Sequence, residues 1–312
     1  MPKLKGPRFT TAIIERRRGR ESSVEEAMLE MCFAGVSTRR IEDASEILWG
    51  SSISAATESN LNEKTFDSVE EWRNRPLERA YPYVYVDGVY LKRSWGGACE
   101  NVATMVAIGV NDDGCRKVIA AAEGFTESSE RRRDFLSWLR SRGLRGVRVI
   151  VGDKATGMVG SIAEVFPDAA YRRRAVHFYR NVLARMPKSR RAAVAAMLKA
   201  IHTMGSREAA EAKALAVADE LERMRLGEAA RIAREGSPET LAYTAFPREH
   251  WRRIRTNNAI ERLNREIRRR TCVVGTFPDG RSGLMLVTAR LKYVAESEWE
   301  SRRYLDVTLL DE

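Results

Sequence analysis

The chain has 312 residues, with 54 Lys and Arg against 43 Asp and Glu and a formal net charge of +11. This length allows about two domains and a large core, so folding needs no covalent or metal staple. So basic a chain attracts polyanions, most commonly nucleic acid. The four cysteines form no C-x-x-C pair, which argues against a zinc site or a disulfide framework. No apolar run is long enough for a membrane span or a signal peptide, so we expect a cytoplasmic protein with no membrane partner.

Basic clusters dominate residues 1–20 and predict a basic arm or a solvated tail. Residues 21–79 predict three short helices that begin near Ser23, Ser37 and Ser52. The second helix should place four apolar residues on one face: Ile41, Ala44, Ile47 and Leu48. Short helices joined by tight turns are typical of a helix-turn-helix module that binds DNA, and also of plain packing domains.

Residues 80–176 switch to an extended pattern. Strands are predicted over residues 81–93, 101–110 and 116–124, with an NDDG turn between the last two. A helix that stops at Gly143, the apolar strand VRVIVGD, a helix over residues 156–165 and a short strand in AAYRRRAVH follow. The first three strands form a meander in the simplest arrangement, and the first and fourth strands can then lie side by side.

The rest of the chain reads as helical. Residues 177–251 are rich in Ala, Glu, Arg and Leu, hold no strand-like run, and predict an all-helical insertion. Residues 252–312 predict a strong helix over residues 257–270, then an exit loop and a closing helix.

Two aspartates are candidates for a catalytic or metal-binding site. Asp87 interrupts an apolar strand, where an unpaired carboxylate would cost several kcal/mol, so a positive group should lie beside it. Asp153 ends the strand VRVIVGD, and sites in open α/β sheets form at strand ends. Singly, Asp87 could be a structural ion-pair partner and Asp153 an N-cap. If their strands are neighbours, the two carboxylates could share a cation, and their hard oxygen atoms favour Mg²⁺ or Mn²⁺.

Glu261 is the third candidate. Ile260, Leu263 and Ile267 form the buried stripe of its helix, and Glu261 lies on the adjacent face at the margin of the core. Taken alone, the local pattern favours an i, i+4 pair of Glu261 with Arg265, worth only about 0.3–0.5 kcal/mol.

Five blocks of sequence point to a family: YPYVYVDGVYLK, VRVIVGDKATGM, AVHFYRNVLA, AFPREHWRRI and TNNAIERLNREIRRRTCVVGTFPDG. In this order they resemble the Mutator-type DDE transposases of bacterial insertion sequences, from about residue 35 to the end. The resemblance implies an α/β fold, in which an RNase H-like mixed-sheet core carries an all-helical insertion and follows a small helix-turn-helix-like region. By motif it assigns Asp87, Asp153 and Glu261 as catalytic residues and metal ligands. His177 matches the histidine of the family's Cys-x-x-His element.

What the resemblance implies for function is metal-dependent DNA chemistry. Two Mg²⁺ or Mn²⁺ ions would serve cleavage at transposon terminal inverted repeats and transfer of the freed strand into target DNA. The expected partners are both DNAs and further copies of the chain, as a dimer or higher oligomer on DNA at the bacterial nucleoid. The basic residues expected to contact DNA phosphates surround these carboxylates: Arg174, His177, Arg262, Arg265 and Arg268.

Three departures from the family pattern leave alternatives open. Arg174 replaces the cysteine of the Cys-x-x-His element, and Ala155 stands where relatives often have histidine. Relatives also usually carry a further N-terminal helical segment, so this chain is interpreted as a shortened copy. One alternative is therefore an inactive transposase-derived DNA-binding protein or regulator, and another is an RNase H-like nuclease without strand transfer.

Overall fold

The structure is a computed structural model that describes residues 27–28, 31, 38–49, 55–95, 98–123, 129–153, 157–256, 258–274, 280–297 and 299–310. Two compact units make up the chain, Met1–Glu71 and Trp72–Glu312. Within the described residues no helix is both long and apolar enough to cross a bilayer.

Two helices are described near the beginning of the chain. Helix α1 spans Thr38–Trp49, and helix α2 spans Ala55–Asn74 and is longer than the short third helix predicted here. Of the apolar residues predicted to share one face, Ile41 is buried, whereas Ile47 is 82% exposed, so these two are not buried together. The buried face of helix α1 includes Ser45 instead, which is the i+4 neighbour of Ile41. The predicted basic arm and most of the first predicted helix lie outside the described residues, and the helix-turn-helix stays a prediction.

A mixed five-stranded sheet forms the centre of the second unit. Strands β1 (Tyr83–Trp95), β2 (Ala98–Val110) and β3 (Arg116–Glu123) are antiparallel neighbours, which confirms the predicted meander. Strands β4 (Val149–Gly152) and β5 (Ala170–Arg173) continue the sheet in parallel, and its order is β3-β2-β1-β4-β5. The predicted pairing of the first strand with the fourth is confirmed, with Tyr83 opposite Val149.

The two faces of the sheet are covered by different helices. Helices α3 (Ser129–Ser141) and α4 (Met158–Val165) pack on the face that carries Val84, Val86 and Ile150. The opposite face, with Tyr83, Tyr85 and Val89, packs against the helices that follow β5. Because side chains alternate along a strand, Asp87 belongs to this second face.

The helices that cover the face with Tyr83 and Asp87 follow strand β5 in the chain. Helices α5 to α8 span Ala175–Leu183, Arg191–Ile201, Arg207–Arg223 and Gly227–Leu241. They form the helical segment that the composition predicts. Helices α9 (Arg248–Arg255), α10 (Asn258–Val274) and α11 (Gly280–Ala295) return the chain to the sheet. Helix α10 is the helix of Glu261, and it extends past the predicted end at residue 270.

Candidate active site

Asp87 is held from three sides in the middle of strand β1. Its Oδ1 accepts a hydrogen bond from the backbone N–H of Gly88 at 3.0 Å and forms an ion pair with Nη2 of Arg174. Its Oδ2 accepts a hydrogen bond from Nδ2 of Asn264 on helix α10. The side chain is only 12% exposed, so these contacts compensate a largely buried charge. The expectation of a positive group beside Asp87 is confirmed, and that group is Arg174.

Asp153 follows directly after strand β4 and reaches the same arginine. Its Oδ1 lies 2.8 Å from Nε of Arg174 and 3.2 Å from Nε2 of His177. Neither Asp153 Oδ1 nor Arg174 Nε completes a hydrogen bond of good geometry, so their contact is ionic. The alternative that Asp153 caps helix α4 is not what the structure has, because Gly157 occupies that N-cap position with a left-handed backbone.

Arg174 therefore joins two carboxylates that come from neighbouring strands. It lies at the junction of strand β5 and helix α5, is 6% exposed, and also donates a 3.4 Å hydrogen bond to the carbonyl of Val86. Two carboxylates this close repel each other unless a cation lies between them. In this structure the guanidinium of Arg174 is that cation, and its expected contact with DNA phosphate stays a prediction.

Burial sets the protonation behaviour around Asp153. Desolvation raises the pKa of the Asp153 carboxyl above its ordinary value, against the lowering effects of Arg174 and His177. Desolvation likewise lowers the pKa of His177 below its ordinary value, and the charge of Asp153 only partly opposes this. At neutral pH His177 is thus a neutral imidazole that contacts the aspartate through Nε2.

Glu261 occupies the first turn of helix α10 and is exposed. The predicted stripe of Ile260, Leu263 and Ile267 is buried beneath it, which confirms the predicted orientation of the helix. Glu261 forms no ion pair with Arg265 among the described contacts; the paired glutamate of this helix is Glu266, which lies 2.6 Å from Arg290. The other predicted phosphate-binding residues of this helix are also exposed: Arg262, Arg265 and Arg268.

Glu261 and Arg174 line one cavity of about 350 Å³. Neither aspartate is among its described lining residues, so Arg174 is the residue that this cavity shares with the aspartate pair. The three carboxylates are not in contact, and within the described part of the chain no three His, Cys, Asp or Glu residues are grouped as ligands of one metal ion. The structure thus brings Asp87 and Asp153 together and leaves Glu261 on the cavity wall.

The donor atoms at the aspartate pair fit a hard divalent cation. Asp87 and Asp153 offer carboxylate oxygens, and the buried Oδ1 of Asn264, beside Asp87, has no hydrogen-bond partner among the described residues. Oxygen ligands of this kind are those that Mg²⁺ and Mn²⁺ prefer. The guanidinium of Arg174 would have to give up at least one carboxylate to such an ion.

Buried hydrogen bonds hold the segment just before helix α10 in place. The sequence did not predict them. Arg172, fully buried, donates hydrogen bonds of 2.5 and 2.7 Å to the carbonyls of Ile254 and Arg255 at the end of helix α9. The hydroxyl of Tyr83 contacts Nδ1 of His250 in the same helix at 2.7 Å. Strands β1 and β5 thus fix the end of α9, and with it the start of the helix that carries Glu261.

Comparisons with known proteins agree with the motifs. A family model described as "Transposase, Mutator family" matches residues 1–301. The chain is 34% identical over its whole length to the transposase for insertion sequence element ISRM5 of Rhizobium meliloti (strain 1021), covering 78% of that protein. It is 32% identical to the transposase for IS256 in transposon Tn4001 of Staphylococcus aureus, over 98% of this chain and 79% of that protein. It is 34% identical to the IS1081 transposase of Mycobacterium tuberculosis (strain ATCC 25618 / H37Rv), over 99% of this chain and 75% of that protein. The chain belongs to the Mutator family of transposases.

Proposed function

We propose that this chain is a DNA transposase that cleaves strands at the ends of its insertion sequence and transfers them into target DNA. Asp87, Asp153 and Glu261 are its proposed catalytic carboxylates. The observation that carries the proposal is the convergence of two aspartates, one in β1 and one after β4, on a single cation. The similar proteins named above are all described as transposases for insertion sequence elements.

The sheet supports an RNase H-like core for this activity. Three antiparallel strands followed by two parallel strands, in the order β3-β2-β1-β4-β5, bring the first and fourth strands together. Helices α5 to α8 separate the aspartates from the glutamate along the chain, as a helical insertion before the glutamate requires. The arrangement supports one catalytic centre assembled from both parts of the core.

Each residue around the centre has a separate proposed task. Asp87, Asp153 and Glu261 would hold Mg²⁺ or Mn²⁺, which when bound activates the attacking oxygen and neutralises charge at the phosphate. Asn264 keeps the Asp87 carboxylate in place through its amide. His177, neutral at pH 7, orients Asp153 and can accept a proton near the reacting strand.

The exposed arginines of helix α10 supply phosphate contacts in this proposal. Arg262, Arg265 and Arg268 follow Glu261 on the same helix and are all exposed. Contacts of this kind position a nucleic-acid backbone and carry no sequence information directly. A DNA strand held by them lies beside the glutamate, and copies of the chain would assemble on the paired DNA ends.

A second candidate function is a DNA-binding protein without catalytic activity. The observation that favours it is Arg174, which compensates Asp87 and Asp153 without any metal ion. A chain in which this guanidinium never leaves the pair would bind DNA and leave it intact.

The experiment that separates the two candidates uses a supercoiled plasmid that carries both DNA ends of this chain's insertion sequence. The purified protein is incubated with it in Mg²⁺, in Mn²⁺ or in EDTA, and nicked and joined products are measured. The transposase proposal expects products that need the metal and disappear in Asp87→Asn, Asp153→Asn and Glu261→Gln. Asp168→Asn, at an exposed carboxylate away from the pair, is the matched control and should retain them. Equal inactivity of wild type and Asp87→Asn, with DNA binding kept by both, would instead support the second candidate.

A further inference from the structure

A second cavity lies at the end of the sheet opposite the two aspartates. Its volume is about 420 Å³, and its lining includes Arg148 and Ala169, which directly precede strands β4 and β5. Arg148 and Asp153 flank β4, so the backbone separates them by about 16 Å at 3.3 Å per residue. This cavity is therefore distinct from the site of Asp87 and Asp153, and it shares no lining residue with the cavity of Glu261.

Three arginines give the second cavity its charge. Arg140, Arg145 and Arg148 line it and are exposed, and Asp168 is the one carboxylate among its described lining residues. Arg140 and Arg145 form no ion pair with a carboxylate in the described part of the chain. The cavity thus presents positive charge that its own lining does not neutralise.

Backbone carbonyls hold two of these guanidinium groups in place. Nη1 of Arg140 donates a 3.0 Å hydrogen bond to the carbonyl of Val165, and Nη2 of Arg145 donates to the carbonyl of Glu78. A carbonyl orients a guanidinium without cancelling its charge. Because a guanidinium has five N–H donors, one such bond leaves further donors for an anionic ligand.

A buried arginine lies between these lining residues in the chain and adds to the positive field. Arg142 is 8% exposed, and its guanidinium donates hydrogen bonds of 2.8–3.0 Å to the carbonyls of Arg75 and Ile119. Burial first, and then the charges of Arg75 and Arg73, lower the pKa of Arg142 to about 10. The cations of this region therefore repel one another, and a bound anion would relieve part of that repulsion.

We propose that this cavity is a second contact for the phosphodiester backbone of DNA, with Arg140, Arg145 and Arg148 as its phosphate-binding residues. Guanidinium forks match the oxygens of a phosphate, and three of them around one cavity suit a polymer with regularly spaced phosphates. Such contacts position DNA and carry no sequence information directly. The inference rests on the proposed function only in taking DNA as the polyanion, and it needs neither a metal ion nor a reaction.

The length of β4 sets the span of DNA that such a contact requires. One phosphate cannot reach both ends of a strand that separates Arg148 from Asp153 by about 16 Å. A duplex rises about 3.4 Å per base pair, so a duplex that touched both the aspartates and this cavity would extend over at least about five base pairs. The cavity would thus hold DNA at a distance from the reacting bond.

Salt dependence of binding tests the contact without any reaction. With a labelled duplex in EDTA, Arg140→Gln/Arg145→Gln should reduce the slope of log affinity against log salt concentration by about 1.8, at about 0.9 per lost phosphate contact. Arg207→Gln/Arg231→Gln is the matched control, because it removes the same charge from two exposed arginines that already pair with glutamates on their own helices. Equal slopes for the two double variants would refute the proposal.

A charge-preserving variant separates DNA contact from support of the fold. Arg140→Lys/Arg145→Lys keeps both positive charges and should keep most of the wild-type slope. If this variant loses as much of the slope as Arg140→Gln/Arg145→Gln, the two arginines support the fold and the proposal is overturned.

Neutral methylphosphonate links, placed one at a time along the duplex, test the contact from the DNA side. At the phosphates that the cavity binds, such a link should weaken binding of the wild type and leave binding of Arg140→Gln/Arg145→Gln unchanged. If no link position distinguishes the two proteins, the cavity does not contact the backbone.

The two proposals fail in distinguishable ways. If the protein cuts DNA while the two double Gln variants have equal slopes, the cavity proposal falls and the transposase proposal stands. If the slope falls as expected while no metal produces cleavage, the cavity proposal stands and the transposase proposal falls. If Arg140→Gln/Arg145→Gln loses self-association and keeps the wild-type slope, the surface is a contact between copies of the chain, which would also overturn the cavity proposal.

Discussion

Replacement of Arg174 by methionine tests whether the guanidinium holds the aspartate pair. Methionine has a similar length but no charge, so Asp87 and Asp153 would face each other without compensation. Arg174 is 6% exposed and the Asp87 side chain 12% exposed, so the lost contact is a buried ion pair. Removal of one partner of such a pair costs about 3–5 kcal/mol. We expect Arg174→Met to lower the free energy of unfolding by about this amount in urea titrations with EDTA present.

The same variant should respond to divalent ions more strongly than wild type. Without Arg174 the two carboxylates repel each other more strongly, and the pKa of Asp153, which burial already raises, should rise further. Mn²⁺ no longer competes with the guanidinium, so it should bind Arg174→Met more tightly in electron paramagnetic resonance titrations and restore part of the lost stability.

An exposed ion pair provides the control for this experiment. Arg231 pairs with Glu235 on helix α8 at 2.9 Å, with both side chains well exposed, so Arg231→Met should change stability little. If Arg174→Met were as stable as Arg231→Met in EDTA, the guanidinium would not hold the pair. If both proteins bound Mn²⁺ equally, Arg174 and the metal would not compete.

Three further predictions follow from buried groups. Asn264→Ala removes the amide donor to Asp87 and should lower the free energy of unfolding by about 1–3 kcal/mol in urea titrations. Arg172→Met leaves two carbonyls at the end of α9 without donors, which should cost about 2–6 kcal/mol and speed hydrogen exchange in α9 and early α10. Burial lowers the pKa of His202 from 6.5 to about 4. Between these two pH values His202 is protonated only in the unfolded state, so lowering the pH from 6.5 to 4 should reduce the free energy of unfolding by up to about 3 kcal/mol. His202→Gln should make the free energy of unfolding less dependent on pH in this range.

The sheet could be predicted because its signals are local. Alternating apolar residues mark β1, an unbroken apolar run marks the fully buried β4, and the NDDG turn fixes the β2–β3 hairpin. A meander followed by a crossover leaves β1 beside β4 as a simple solution, and this pairing predicts that Asp87 lies near Asp153.

The roles of the arginines after β4 could not be predicted in this way. Arg172, Arg173 and Arg174 look like one basic patch in the sequence, yet all three are buried. Arg172 binds the end of α9, Arg173 lies 3.8 Å from Glu239, and Arg174 joins the aspartates. The side chains of these three consecutive residues point in different directions from the end of the strand. Their partners come from distant parts of the chain.

The cavity beside Glu261 had no local signal either, although its lining includes Lys199 and His202. Lys199 belongs to an alanine-rich helix, Arg191–Ile201, whose C-cap is His202, and the periodicity of that helix predicts only a packed face. Their approach to Glu261 depends on how the helical segment folds back onto the sheet, which is a property of long-range packing. Local periodicity therefore predicts the elements and the aspartate pair, and the tertiary fold decides what surrounds them.

The hydrogen bond from Asn264 to Asp87 joins residues that are 177 positions apart in the chain. At a synthesis rate of 5–20 residues per second, roughly 9 to 35 s pass between the appearance of the two residues at the ribosome. During that interval the nascent chain holds Asp87 without the helix that positions it. Translation itself therefore delays the assembly of the centre until helix α10 has been made, and a product terminated before Asn264 would lack it.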